Sequence, residues 1–222
     1  MTARVLNSGS GALLVHLAPE HVTGFYDILL ADPPEGFVEG IPAAETVMVL
    51  FDPARTSAAA LAPRLHAAAE RASASTSTNT NTSTHAADAP STRRQPVISI
   101  PVVYDGPDLA ETARRTGLSV EEVIRRHAAA EYVVAFCGFA PGFGYLTGLD
   151  PALLLPRRSI PRTNVPAGSV AVSDRFTAVY PHVSPGGWHL LGRTTTVMWD
   201  LERQPPALLA PGTRVRFEQV PA

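Results

Sequence analysis

The run Ser73–Thr92, "SASTSTNTNTSTHAADAPST", constrains the fold more than any other part of the sequence. It consists of short polar residues with almost no apolar content, so burial cannot offset the entropy of ordering it. Any core of the 222-residue chain must therefore come from the segments on either side. We expect a small domain over residues 1–72, a flexible linker or enlarged surface loop over 73–95, and a second domain over 96–222. The hydrophobic fraction, 45%, suits soluble globular domains.

The first segment has an α+β pattern. "ALLVHLA" (Ala12–Ala18) and "ETVMVLFDP" (Glu45–Pro53) read as strands. Between them, Val22, Phe25, Tyr26, Leu29 and Leu30 recur at helical spacing within "PEHVTGFYDILLADP". "SAAALAPRLHAAAERA" (Ser57–Ala72) predicts a helix with Ser57 as N-cap, its first turns disturbed by Pro63. The order is strand, helix, strand, helix.

Beyond the polar tract, "PVISIPVVY" (Pro96–Tyr104) is an alternating strand. "DLAETARRTGLS" predicts a helix closed by Gly117. "SVEEVIRRHAAAEY" opens with Ser119 three residues before Glu122, a capping box, and its helix should end near Glu131. From there short strands alternate with Pro and Gly: "YVVAF", "GSVAVS", "FTAVYP", "WHLLGRT", "TVMWDL" and "TRVRFEQV". That rhythm predicts a mainly-β domain, a small barrel or sandwich.

Composition excludes several chemistries. All 18 basic residues are arginine, so the chain forms no lysine Schiff base, carries no biotinyl-lysine and supplies no P-loop lysine. The single cysteine, Cys137, rules out an internal disulfide and a multi-cysteine metal site. A net charge of −2 favours neither nucleic acid nor an acidic membrane as partner. The start of the chain lacks a signal-peptide pattern, and glycines and a proline break the uncharged run Tyr132–Leu149. A cytoplasmic protein is expected, with no metal site.

Three motifs remain as candidates for function. In "CGFAPGFGYLTGLDP" (Cys137–Pro151), glycines permit positive φ and Pro141 lacks an N–H. Its aromatics Phe139, Phe143 and Tyr145 either fill a barrel mouth or line a groove for a ligand or partner, together with Trp188. "LPRRSIPRTNVPAGSVAV" sets Arg157, Arg158 and Arg162 among prolines, either a solvated basic loop or arginines pre-oriented for anions. "YPHVSPGGWHLLGRTT" contributes Tyr180 and, directly after Gly192, Arg193. His127 is either a general base or a cap on its helix C-terminus. Cys137 has no neighbouring histidine, Ser169 lies outside a G-x-S-x-G elbow, and His182 and His189 lack metal-ligand spacing.

The same segments carry a family resemblance. "EYVVAFCGFAPGFGYLTGLDP", "PRRSIPRTNVPAGSVAV", "VYPHVSPGGWHLLGRT" and "PGTRVRF" resemble, in order, the B subunit of the bacterial ATP-dependent 5-oxoprolinase (PxpB). That family also includes the sporulation-kinase inhibitor KipI and proteins named allophanate hydrolase subunit 1. The resemblance implies a cyclophilin-like barrel after a small α+β domain. It implies a carboxyltransferase-like pairing with the C subunit of 5-oxoprolinase (KipA-like, or allophanate hydrolase subunit 2-like), completed by the A subunit. The reaction implied is ATP-driven opening of the 5-oxoproline lactam to glutamate, with ATP as cosubstrate and no covalent cofactor on this chain. Arg157, Arg162 and Arg193 fall on the family's motif arginines, with Ser169 and Tyr180 beside them as substrate or anion contacts. The chain departs from the family at Gly144, where the pattern has proline, and at Phe176-Thr177-Ala178, where it often has Gln-Thr-Gly. Two alternatives stay open: a regulator of a sensor histidine kinase, and a carboxyltransferase half in a urea or allophanate pathway.

Overall fold

A computed structural model describes residues 3–77 and 97–221. The chain divides into two compact units, 1–92 and 93–222.

The first unit contains strands β1 (Arg4–Asn7), β2 (Ala12–His16), β3 (Phe37–Pro42) and β4 (Thr46–Phe51), with helices α1 (Val22–Ala31) and α2 (Ala58–Ser77). The strands form an antiparallel sheet in the order β1-β2-β4-β3. Alternation in β2 and β4 buries Leu13, Val15, Val47, Val49 and Phe51, which share a core with Phe25 of α1 and Leu65 of α2. Small residues let the helices approach closely: a Cβ on Gly24 would lie 3.9 Å from that of Ala72. Ser57 caps α2 as expected, its Oγ accepting from the Ala60 N–H at 3.2 Å.

Two features differ from the expected pattern. The edge strands β1 and β3 add to the two strands read from sequence. β1 is short, and β3 carries Gly40, Pro42 and a register shift between Phe37 and Glu39, which an edge position tolerates. Helix α2 also runs to Ser77, five residues into the segment expected as linker. There Ser73 and Ser75 turn their hydroxyls back onto the carbonyls of Ala69 and Arg71, at 3.0 Å each. The rest of that segment, 78–95, lies outside the described residues.

The second unit begins with β5 (Ile98–Val102), then α3 (Leu109–Thr116) and α4 (Val120–Ala129). Gly117 closes α3 in the left-handed conformation, φ 71°, its N–H bonded to the Ala113 carbonyl. Ser119 caps α4, accepting from the Glu122 N–H at 3.1 Å. The reciprocal half of the expected capping box is replaced: the Glu122 carboxylate pairs with Arg125 and Arg126 instead.

The remaining strands are β6 (Tyr132–Cys137), β7 (Gly144–Thr147), β8 (Arg162–Val165), β9 (Ser169–Ser173), β10 (Phe176–Val179), β11 (Ser184–Gly186), β12 (His189–Arg193) and β13 (Arg214–Gln219). Seven strands form one sheet, β12-β9-β10-β7-β6-β13-β5, in which only β5 and β13 run parallel. A bridge between Val103 and Arg193, with reciprocal 2.9 Å hydrogen bonds, joins its two edges into a nearly closed barrel. The ribbon β8–β11 stands beside it. Helices α3 and α4 pack on β12 and β13, and the core includes Ile100, Tyr132, Val134, Leu146, Leu191 and Phe217.

"TVMWDL" (residues 196–201), expected as a strand, is not one. It forms an isolated bridge, Trp199–Ala207, flanked by hydrogen bonds from Leu208 N to Met198 O (2.9 Å) and from Asp200 N to Pro206 O (3.0 Å). The Arg203 guanidinium also donates to the carbonyls of Val197, Met198 and Pro206, and so ties the stretch to the segment it bridges.

The seam of the barrel depends on Gly192. A Cβ there would overlap the Val103 carbonyl oxygen, a backbone atom that moves only with the seam itself. Gly192→Ala is expected to lower stability by about 2 kcal/mol, the range for overpacking a well-filled site. A urea midpoint equal to that of the natural chain would show that the seam yields freely.

Candidate functional site

The glycine-rich stretch is a β-hairpin. β6 leaves the barrel at Cys137, and the chain turns through residues 138–143 and returns as β7. The turn is tied by hydrogen bonds from Gly138 N to Phe143 O (3.1 Å) and from Phe143 N to Ala140 O (3.0 Å). Gly142, at φ 81°, is needed twice over: a Cβ would lie 2.8 Å from that of Trp199. Phe139 has φ 68° without being glycine, and the residue is 59% exposed. An exposed aromatic held in a strained conformation is a mark of a functional surface.

Behind Phe139 the aromatics form one network. Phe143 makes edge contacts with Phe139 (5.3 Å), Tyr145 (5.0 Å), Tyr180 (5.3 Å) and Trp188 (5.6 Å). Tyr145 stacks on Phe136 at 4.3 Å. Phe143, Tyr180 and Trp188 are buried and form the floor, while Phe139 and, in part, Tyr145 reach the surface. The Tyr180 hydroxyl fits only because residue 186 is glycine, and it accepts from the backbone N–H of Trp188. Burial pushes that phenol up to about 12, so it stays protonated at neutral pH.

The arginines divide by partner. Arg157 is exposed and pairs with no carboxylate among the described residues. Its positive charge acts on the Tyr145 and Tyr180 hydroxyls, opposing the effect of their burial. Arg162, expected to bind an anion, instead donates to Asp108 Oδ1 at 2.6 Å. Arg158 donates to the same oxygen at 2.7 Å. Burial alone would raise the Asp108 carboxyl, but the Arg162 hydrogen bond, the Leu190 N–H and the two guanidinium charges outweigh it and hold the group below the usual carboxylate range. Arg193 ends β12 at the barrel seam, where its Nε donates to Asp105 at 2.8 Å. It stands roughly 16 Å along the strand from Trp188, at about 3.3 Å per residue. Ser169 is buried, opposite Arg193 in register.

His127 belongs to the interior rather than the rim. It is fully buried, stacked on Phe217 at 4.7 Å. Its Nε2 meets Thr177 Oγ1 at 2.9 Å and its Nδ1 meets the Tyr104 hydroxyl at 2.7 Å. Thr177 donates its own proton to the Ala171 carbonyl, so Nε2 carries the histidine proton and Nδ1 accepts from Tyr104. Desolvation lowers its pKa to about 3, which leaves a neutral ring with both nitrogens engaged. Neither role expected for His127, general base or cap on its helix C-terminus, describes this placement. The Cys137 thiol is likewise pushed up by burial, the opposite of an activated nucleophile.

Asp108 is the residue that sequence reasoning missed. It stands at the N-cap of α3, where an aspartate ordinarily bonds the helix N–H groups, yet its side chain makes no cap bond. The available signal was charge: "DGPD" supplies Asp105 and Asp108, complementary to the arginines of "PRRSIPR". Among the described residues no group of three or more His, Cys, Asp or Glu could hold a metal ion. Among them, too, no helix is long and apolar enough to cross a membrane.

The site is thus the aromatic face of a nearly closed barrel, with one exposed arginine, Arg157, that pairs with no carboxylate among the described residues. The chain belongs to the family of carboxyltransferase domains, subdomains C and D, whose model matches residues 3–209. It is similar to the 5-oxoprolinase B subunit of Escherichia coli O157:H7, 51% identical over 123 residues, or 54% of this chain and 56% of that protein. The 5-oxoprolinase B subunit of Bacillus subtilis strain 168 is 45% identical over 127 residues, 56% of this chain and 53% of that protein. Each match thus spans about half the length of the relative. Among solved structures, a conserved uncharacterized protein of Pyrococcus horikoshii is 31% identical with a TM-score of 0.54, covering 98% of this chain and 97% of that one. The urea carboxylase of Kluyveromyces lactis, 18% identical, shares the fold with a TM-score of 0.68 over 99% of this chain and 22% of that one.

Proposed function

We propose that the chain is the B-type subunit of an ATP-dependent 5-oxoprolinase, inactive alone and working in the cytoplasm with partners of the C type and the A type. The observation that carries this reading is the identity to proteins named as the B subunit of 5-oxoprolinase. The site supports it chemically. The substrate carries a carboxylate, ATP-derived groups carry phosphoryl oxygens, and Arg157 offers a guanidinium free of carboxylate partners among the described residues beside a partly apolar wall. A lactam is a resonance-stabilised amide, so coupling to ATP would activate its carbonyl carbon for water before the ring C–N bond breaks. In this reading the barrel is cyclophilin-like and residues 1–72 form a small α+β domain. The segment 73–95 is the connection, with α2 extending into its start.

Arg157, Tyr180 and the Phe139–Tyr145 wall are the proposed substrate contacts. Ser169 and Arg193 lie at the other end of the β9–β12 pair and serve the barrel seam. His127 is removed from the proposed chemistry by its burial.

The test is reconstitution. The purified chain alone is expected to hydrolyse no ATP and release no glutamate. Co-expressed with its cognate A-type and C-type partners, it should co-purify and give ATP-dependent glutamate release from 5-oxo-L-proline. A stable complex without that activity, together with inhibition of a sensor histidine kinase by the isolated chain, would replace this reading with the regulatory one.

A further inference from the structure

We propose that Asp108 is a positioning residue that fixes Arg157, an inference that rests on Arg157 being the anion contact. Arg157 and Arg158 are adjacent, yet their surroundings differ. Arg158 bonds to Asp108, whereas Arg157 is exposed and pairs with no carboxylate among the described residues. What separates them is a set of ties on either side of Arg157. His189 Nε2 donates to the Pro156 carbonyl at 3.0 Å. The Arg158 N–H donates to the Gly187 carbonyl at 2.8 Å. Arg158 Nη1 and Arg162 Nη2 both converge on Asp108 Oδ1.

Asp108 is itself immobilised. Its side chain is 3% exposed, its Oδ2 accepts from the Leu190 N–H at 2.8 Å, and its own N–H donates to the Leu190 carbonyl at 3.1 Å. The carboxylate thus couples the start of α3 and strand β12 to the arginine loop. Two guanidinium groups on one carboxylate oxygen would repel each other without it. Arg158 also lies 3.5 Å from Glu111, a looser and more exposed contact. Arg158 Nε and Arg162 Nη1 are buried without partners, so the bonds to Asp108 Oδ1 are the short ones that hold both guanidinium groups. Asp108 therefore decides where the loop sits, and the loop decides where Arg157 points. A guanidinium held in place loses less freedom when an anion binds.

The experiment has two arms. In the first, the isolated full chain is digested with trypsin, and cleavage after Arg157 is followed by mass spectrometry in the natural chain, in Asp108→Asn and in Arg158→Met. Arg158→Met keeps a one-to-one Asp108–Arg162 pair and serves if Asp108→Asn folds poorly. Both variants should be cut at least tenfold faster than the natural chain. In the second arm, the assembled complex is assayed with 5-oxo-L-proline in a double-mutant cycle with Arg157→Ala. Each tether variant should raise KM at least fivefold with kcat within twofold, and neither should raise it further in the Arg157→Ala background. Additive effects in that background would make Asp108 merely structural and overturn the inference. An active complex in which Arg157→Ala leaves KM unchanged would overturn the anion reading instead. If no oxoprolinase activity exists, cleavage rates equal to the natural chain's overturn the tether by themselves.

Discussion

Replacing Arg157 with alanine is expected to lower kcat/KM for 5-oxo-L-proline in the assembled complex at least tenfold and to leave Tm unchanged. The magnitude follows from one charge-assisted hydrogen bond, about 1.5–3 kcal/mol, where about 1.4 kcal/mol is a factor of ten. The unchanged Tm follows from exposure and from the lack of a carboxylate partner among the described residues. Arg162→Ala makes the contrast. Its guanidinium helps neutralise a carboxylate that is 3% exposed, so its loss should cost stability of about 1–3 kcal/mol. Arg193→Ala should change little, because its pair with Asp105 is 60% and 42% exposed and surface pairs contribute about 0–1 kcal/mol. The three family-motif arginines are thereby sorted by surroundings into a ligand contact, a structural pair and a surface pair. Steady-state kinetics and thermal melts of the three variants check it. Equal losses of activity from Arg157 and Arg193 would restore a single rim in which all three act alike.

That sorting marks where sequence stopped being informative. Features set by neighbouring residues were legible: the left-handed Gly117, the Ser119 and Ser57 caps, and the strand alternation of β2, β4 and β5. The edge strands β1 and β3 were not, because a strand bonded on one side needs neither length nor strict alternation. "TVMWDL" alternates like a strand, but it is stabilised by a guanidinium five or six residues on, which periodicity does not register. The aromatic and arginine segments were recognisable as a site because glycine and proline punctuate them. Which arginine stays free was not, because it depends on Asp108, 50 and 54 residues away from Arg158 and Arg162. His127 illustrates the same limit. Near the end of α4 it reads as a cap, and only the packing of that helix on β13 shows a ring sealed between Phe217 and Tyr104.

That sealed ring gives the chain a pH-dependent stability with a defined window. The His127 pKa is about 3 in the folded state, against roughly 6.5 in an unfolded chain. The folded pKa is the lower one, so between these values the unfolded state binds more protons and stability rises with pH. The full contribution is present above about pH 6.5 and is lost progressively as pH falls toward 3, amounting to about 2 kcal/mol lost at pH 5. The groups that face the ring, Tyr104 and Tyr132, both have pKa values raised by burial and stay neutral throughout, and burial alone shifts the histidine, so among the described residues no carboxylate compensates the imidazolium. Protonation would also turn Nδ1 from acceptor to donor against the Tyr104 hydroxyl. The carboxylates held below their usual range, Asp108, Glu131 and Asp150 among them, lose their contribution only as pH falls below about 4, while burial raises the Asp27 carboxyl, so it is the comparison with a His127 variant between pH 7 and 5 that separates this histidine. Urea unfolding of the natural chain across that interval should show the loss. His127→Gln, whose amide can accept from Tyr104 and donate to Thr177 without titrating, should flatten it. Equal pH slopes for the two chains would mean that His127 gains a proton as easily folded as unfolded, and the sealed environment derived from its contacts would be wrong.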